Sequence, residues 1–169
     1  MKTLILGGAR SGKSRLAEQL ARSSGRAVTV IATAQALDDE MAARIAARRA
    51  ARPAHWRCVE EPLALAAALQ AADAPGALLL VDCLTLWLSN LLHAGDECFA
   101  AERAALLDAV GHLQADLLLV GNEVGHGIVP LGALSRRFVD ENGWLHQALA
   151  ERCDAVRFVM AGCVLALKG

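Results

Sequence analysis

The segment Gly7-Gly8-Ala9-Arg10-Ser11-Gly12-Lys13-Ser14 fits the spacing G-x-x-x-x-G-K-[ST], the pattern of a phosphate-binding loop. Its glycines let the backbone turn tightly and aim successive N–H groups at phosphate oxygens. Lys13 supplies a point charge for the β- and γ-phosphates, and the Ser14 hydroxyl suits Mg²⁺. Thr3-Leu4-Ile5-Leu6 before it reads as a short buried strand. Arg15 to Ala21 after it reads as a helix, so bound phosphates would sit at a helix N-terminus.

Two carboxylates stand where such a loop needs them. Asp82 ends the apolar run Leu78-Leu79-Leu80-Val81, the form of a carboxylate at a strand's carboxyl end that reaches Mg²⁺ directly or through water. An Asp there could also cap the next helix. Glu123 follows Leu117-Leu118-Leu119-Val120, among Gly121, Gly125 and Gly127. Ligands gather at the carboxyl ends of strands, so Glu123 is a candidate to orient a hydroxyl or accept its proton. A solvated Glu in a glycine-rich connector is the simpler alternative. Arg44, Arg48 and Arg52 share one helical face, flanked by Arg49. They could bind phosphate or form a solvated row. His126, between two glycines near Glu123, could touch substrate. His55, in Pro53-Ala54-His55-Trp56, reads first as a packed histidine, and His93, His112 and His146 lie in helical patterns.

Alternating strands and helices position these groups. Strands are expected at Val28–Thr33, Leu78–Asp82 and Leu117–Val120. Helices are expected from Asp38 to Arg52, Leu63 to Ala72, Leu84 to Leu92, Glu102 to Gln114 and Leu134 to Arg152, with a kink or break at Asn142-Gly143. Glu60-Glu61-Pro62 reads as the start of the Leu63 helix. Ala155–Met160 and Val164–Lys168 are separated by only Ala161-Gly162-Cys163, which forces an antiparallel hairpin. The pattern predicts a three-layer α/β fold with a mostly parallel sheet and an antiparallel C-terminal edge strand, as one nucleotide-binding domain over 1–169.

Composition narrows the function classes. The net charge of −1 and the lack of a basic block argue against nucleic acid as a partner. The most apolar stretch, Ala77 to Leu92, is interrupted by Asp82, Thr85, Ser89 and Asn90, so no membrane span is expected. Five scattered cysteines without metal spacing, and a start that runs straight into a strand, predict a cytoplasmic protein with reduced thiols.

Several segments together resemble the bifunctional adenosylcobinamide kinase / adenosylcobinamide-phosphate guanylyltransferase family. They are Gly7 to Arg15, Ile31-Ala32-Thr33-Ala34 with Leu37-Asp38-Asp39-Glu40-Met41, Arg52-Pro53-Ala54-His55-Trp56, Asp82-Cys83-Leu84-Thr85, and Asn122-Glu123-Val124-Gly125 with Gly127-Ile128-Val129-Pro130. The ordered set spans nearly the whole chain. The resemblance implies a RecA-like P-loop NTPase and a homo-oligomer, with a trimer the expected size. It implies two reactions in cobalamin nucleotide-loop assembly. A nucleoside triphosphate, GTP or ATP, phosphorylates the aminopropanol hydroxyl of adenosylcobinamide. GTP then transfers GMP onto that phosphate through a guanylyl-histidine, giving adenosylcobinamide-GDP. Carried onto this sequence, Gly7, Gly8, Ala9, Arg10, Ser11, Gly12, Lys13 and Ser14 hold phosphates, and Ser14 and Asp82 serve Mg²⁺. Thr33, Ala34, Arg49, Arg52 and Glu60 line the guanine nucleotide. A kinase without nucleotidyl transfer and a RecA-like ATPase or binding module are the alternative readings.

One position departs from the pattern. The acceptor histidine is expected three residues after Ile45, where this chain has Arg48. Arginine is not deprotonated at working pH and is no nucleophile. His55 could take the role, the covalent step could be lost, or the cobinamide phosphate could attack the α-phosphate directly while Arg48 stabilises charge. Loss or bypass ranks above rescue, because His55 lies seven residues on, roughly 10–20 Å along the chain.

Overall fold

The computed structural model describes residues 1–36 and 38–169; Leu37 and the side chain of Arg44, which belong to motifs above, lie outside the described residues. Among these residues, seven strands form one sheet: β1 (Lys2–Gly7), β2 (Ala27–Ala32), β3 (Arg57–Glu60), β4 (Ala77–Asp82), β5 (Asp116–Asn122), β6 (Ala155–Met160) and β7 (Cys163–Lys168). Their order is β3-β2-β4-β5-β1-β6-β7. Every pairing is parallel except β6 with β7, as their two-residue connection, Ala161-Gly162, requires.

Among the described residues, six helices accompany the strands: α1 (Lys13–Ser23), α2 (Asp39–Ala51), α3 (Leu65–Ala72), α4 (Leu84–Ala94), α5 (Asp96–His112) and α6 (Ala133–Arg152). Strand residues alternate between two cores. Leu4, Leu6, Leu79, Val81, Leu117 and Leu119 face the cluster built with α3 to α6. Ile5, Leu78, Leu80, Leu118 and Val120 face Ala17 and Ala21 of α1 on the other side. Continuous apolar runs are the mark of strands covered on both faces. Among the described residues, no helix is long and apolar enough to cross a membrane.

Three local expectations change. Arg57–Glu60 is a strand, not the approach to a helix. It pairs with β2 as an exposed edge, so a short charged sequence suffices. Helix α5 begins at Asp96, six residues before Glu102, with Asp96 and Glu97 in its first turn, where the helix dipole favours acids. Helix α6 runs unbroken through Asn142-Gly143. Asn142 is buried there and donates to the Asn122 carbonyl at 3.0 Å, which pins the turn onto the sheet.

Candidate active site

The phosphate loop leaves β1 and enters α1. Gly12 stands at the helix start with φ 102°, a left-handed conformation that L side chains rarely adopt. The loop is braced by Ser11 N–H to the Gly8 carbonyl (3.3 Å) and by Gly162 N–H to the Ser11 carbonyl (2.9 Å), which ties it to the terminal hairpin. Lys13 donates to the Gly8 carbonyl at 3.0 Å and is largely buried. Burial lowers its pKa, and the nearby Arg48 charge acts in the same direction.

Asp82 ends β4, two strands from β1, and is 6% exposed. A buried carboxylate needs counter-charge, and α2 supplies it. Arg48 Nη1 donates to both Asp82 oxygens at 2.9 Å, and Arg52 Nη2 donates to Oδ2 at 3.1 Å. The two arginines differ in freedom: the Arg48 side chain is 49% exposed and that of Arg52 only 8%. Helix α2 is set by its N-cap, Asp38, whose side chain accepts from the Met41 N–H at 2.6 Å. Lys13, Ser14, Ala34, Ile45, Arg48 and Asp82 line one cleft, closed by Met41, Cys83, Leu86 and Asn122. Ser14 and Asp82 offer it a hydroxyl and a carboxylate, the hard oxygen donors that suit Mg²⁺ beside a polyphosphate.

Glu123 opens into a separate depression of the phosphate loop, shared with Gly8, Ala9, Arg10, Ser11, His126 and Phe158. Its backbone N–H bonds the Gly7 carbonyl at 3.0 Å, so the end of β5 is locked to the loop's first residue. Its Oε1 accepts the Gly125 N–H at 2.6 Å, and its Oε2 lies 3.8 Å from His146 Nδ1. Asp82 and Arg48 thus line one depression at the loop and Glu123 another, with no lining residue in common.

Other expected residues lie elsewhere. Thr33 is fully buried. Its hydroxyl donates to the Cys83 carbonyl (2.7 Å) and accepts the Cys83 N–H (3.0 Å), so it joins β2 to β4, and Ala34 alone of the pair lines the cleft. Arg49 and Glu60 form an exposed pair at 3.6 Å, outside the P-loop cleft. Arg49 shares a separate cationic hollow with Arg52, Arg57 and Trp56. His55 is not brought to the cleft. It lines a depression at the C-terminal end of α1 with Arg22 and Gly25, the length of that helix from Lys13, about 16 Å.

Sequence reading gave little weight to three groups behind Glu123. Thr85 Oγ1 accepts the Asn122 N–H at 2.6 Å, Asn142 bonds the Asn122 carbonyl, and His146 is 5% exposed beneath Gly121. Their common signal is polarity on helix faces that should otherwise be apolar.

The family model described as cobinamide kinase / cobinamide phosphate guanyltransferase matches residues 3–167. The chain is 63% identical to the bifunctional adenosylcobalamin biosynthesis protein CobP of Pseudomonas aeruginosa, covering 100% of this chain and 98% of that one. It is 43% identical to the bifunctional adenosylcobalamin biosynthesis protein CobU of Salmonella typhimurium, over 99% and 100%. Among solved structures, a Pyrococcus horikoshii protein superposes with TM-score 0.59 at 10% identity, over 99% of this chain and 86% of that one. The RadB recombinase gives 0.53 at 16% identity, over 93% and 73%. These two likenesses show the fold alone, a mostly parallel sheet covered by helices on both faces.

Proposed function

The chain belongs to the cobinamide kinase / cobinamide phosphate guanyltransferase family, and we propose how its own residues divide the two reactions of that family. The observation that carries the proposal is the placement of Asp82 with Arg48 and of Glu123 in two separate depressions along one phosphate loop. Gly7 to Ser14 hold the triphosphate, with Lys13 on the β- and γ-phosphates. Ser14 and Asp82 would hold Mg²⁺, which neutralises phosphate charge when bound. For the kinase half, the aminopropanol hydroxyl of adenosylcobinamide enters beside Glu123. The hydroxyl oxygen bonds to the γ-phosphorus, the bond from that phosphorus to the bridging oxygen breaks, and the hydroxyl proton passes to the Glu123 carboxylate. The nucleoside diphosphate leaves, whether the donor is GTP or ATP.

For the guanylyl half, no histidine lines the P-loop cleft among the described residues. We infer direct transfer: a phosphate oxygen of adenosylcobinamide phosphate attacks the α-phosphorus of GTP, and pyrophosphate departs. Arg48, charged at all working pH and half exposed, stabilises the charge that develops. Incubation with Mg²⁺ and GTP labelled on the α-phosphate tests this. Conversion of adenosylcobinamide phosphate without acid-labile label on the protein supports direct transfer. Label on the protein that disappears in His55→Ala would restore the covalent route through His55.

The five cysteines are all unpaired, which supports a cytoplasmic site of action. Val164, Leu165 and Leu167 on the edge strand β7 are 48 to 60% exposed, which supports assembly into a homo-oligomer, with a trimer as the expected size. Sedimentation equilibrium gives the number of subunits.

A further inference from the structure

We infer that His146 is a positioning residue for Glu123, holding the carboxylate from behind while it receives the substrate proton. The inference rests on the reading of Glu123 as the kinase base and adds a residue to it.

His146 lies on α6 beneath the end of β5. Its ring is packed so closely under Gly121 that a Cβ there would stand 2.7 Å from Nε2. Nε2 has no hydrogen-bond partner, so the ring's polar contacts are all at Nδ1. Nδ1 faces Glu123 Oε2 at 3.8 Å and Asn142 Nδ2 at 3.5 Å. Asn142, one turn earlier, spends its Nδ2 on the Asn122 carbonyl, the residue just before Glu123. Helix α6 therefore touches the chain at two consecutive residues, by backbone at Asn122 and by side chain at Glu123.

A buried imidazole with one polar face costs desolvation that leucine would avoid. Its gain is directional. The Gly125 N–H fixes Oε1, and the imidazole lies 3.8 Å from Oε2 on the core side, a separation that becomes a hydrogen bond once the two groups close and the ring carries its proton on Nδ1, the tautomer we assign. The carboxylate is left 21% exposed toward the depression beside Gly8 to Ser11. Burial, the largest influence on the ring, lowers its pKa and keeps it neutral, against the opposing pull of Glu123. A neutral N–H orients a carboxylate without the full positive charge that would weaken it as a base. The proton removed from the hydroxyl ends on Glu123, and the Nδ1 proton stays on the ring throughout.

The test compares four full-length proteins. His146→Leu fills the volume and removes the donor. His146→Gln moves an amide to the Nε2 end. His146→Asn returns an N–H to the Nδ1 position. Glu123→Gln removes the base. Two rates are measured on each, phosphoryl transfer to adenosylcobinamide and nucleotidyl transfer to preformed adenosylcobinamide phosphate, together with nucleotide affinity. The expected result is a kinase kcat lower by about tenfold or more in His146→Leu and His146→Gln. Nucleotide affinity and the second rate should stay within about twofold, and His146→Asn should recover most of the kinase rate. A structural role alone would lower both rates together and overturn the inference. So would normal kinase turnover in His146→Leu and His146→Gln beside an inactive Glu123→Gln. Full kinase activity in Glu123→Gln would instead overturn the reading of Glu123 as the base, and the role of His146 with it.

Discussion

Arg48 Nη1 donates to both carboxylate oxygens of Asp82 at 2.9 Å, so the buried acid at the end of β4 is held by a helix that is itself on the surface. Arg52 adds a third bond from a buried position. Removing one partner of a buried pair costs about 3–5 kcal/mol when nothing replaces it. Here each arginine leaves the other in place, so Arg52→Ala should cost about 2 kcal/mol. Arg48→Ala, half exposed and solvent-screened, should cost no more than about 1 kcal/mol. Urea denaturation of both variants measures the order, and equal losses would show that exposure does not separate the two roles. Guanylyl transfer should follow the opposite order, with Arg48→Ala the more damaging.

Lys13→Ala should leave the fold intact and remove about 10²-fold or more from both half-reactions, because the proposed division has one ammonium serve the phosphates in each. Its side chain makes one hydrogen bond, to the Gly8 carbonyl, and burial opposes its charge, so thermal melting should move little. Full turnover of either reaction with normal nucleotide affinity would refute the phosphate-loop assignment.

The phosphate loop, Asp82 and Glu123 were legible in the sequence because strand ends in a parallel sheet converge, and each follows an apolar run too regular to miss. The antiparallel β7 was legible from the length of one connection. Strand β3 was not, because an exposed edge places few demands on residue type, and Arg57–Glu60 carries none of the apolar signal. The partners of Asp82 were half legible. Spacing put Arg48 and Arg52 on one face, but only the packing of α2 shows that the face turns to the carboxylate. The role of Thr33 was hidden for the same reason: a hydroxyl beside a nucleotide site and one stapling two strands look alike until the Cys83 backbone is in place. His146 looked like an ordinary helical residue and Asn142 like part of a break, since their partners lie 20 or more positions away.

The cysteines should divide by place. Cys153 is 2% exposed, and burial pushes its thiol up to about 11. Cys83 is also buried, with its pKa raised by the same cause. Because the thiolate is the reactive form, a thiol reagent at pH 8 should modify the exposed Cys58 and Cys163 first and leave Cys83 and Cys153 until the protein unfolds. Peptide mapping after timed labelling reads the order.

His146 makes stability depend on pH in a definite direction. Its pKa is lowered in the folded protein, chiefly by burial, from an unfolded value near 6.5. Between those two values the unfolded chain binds the extra proton and the folded chain does not, so unfolding gains with acid and stability rises with pH. The contribution of the neutral ring is fully present above about pH 7 and is lost progressively as pH falls through the unfolded value toward the folded one. His146→Asn has no proton to take up and should lack this share of the loss. Urea midpoints at pH 5 and pH 7.5 for both proteins check it: the wild-type midpoint should fall further on acidification than the variant's. Gly121→Ala supplies the independent arm, because its added methyl would meet Nε2 of the ring and the Leu6 side chain at 3.2 Å. It should destabilise wild type by about 1–3 kcal/mol, and less in the His146→Asn background, where the shorter side chain gives room. Strict additivity of the two substitutions would mean that the ring does not lie under Gly121, and the acid dependence would then need another group.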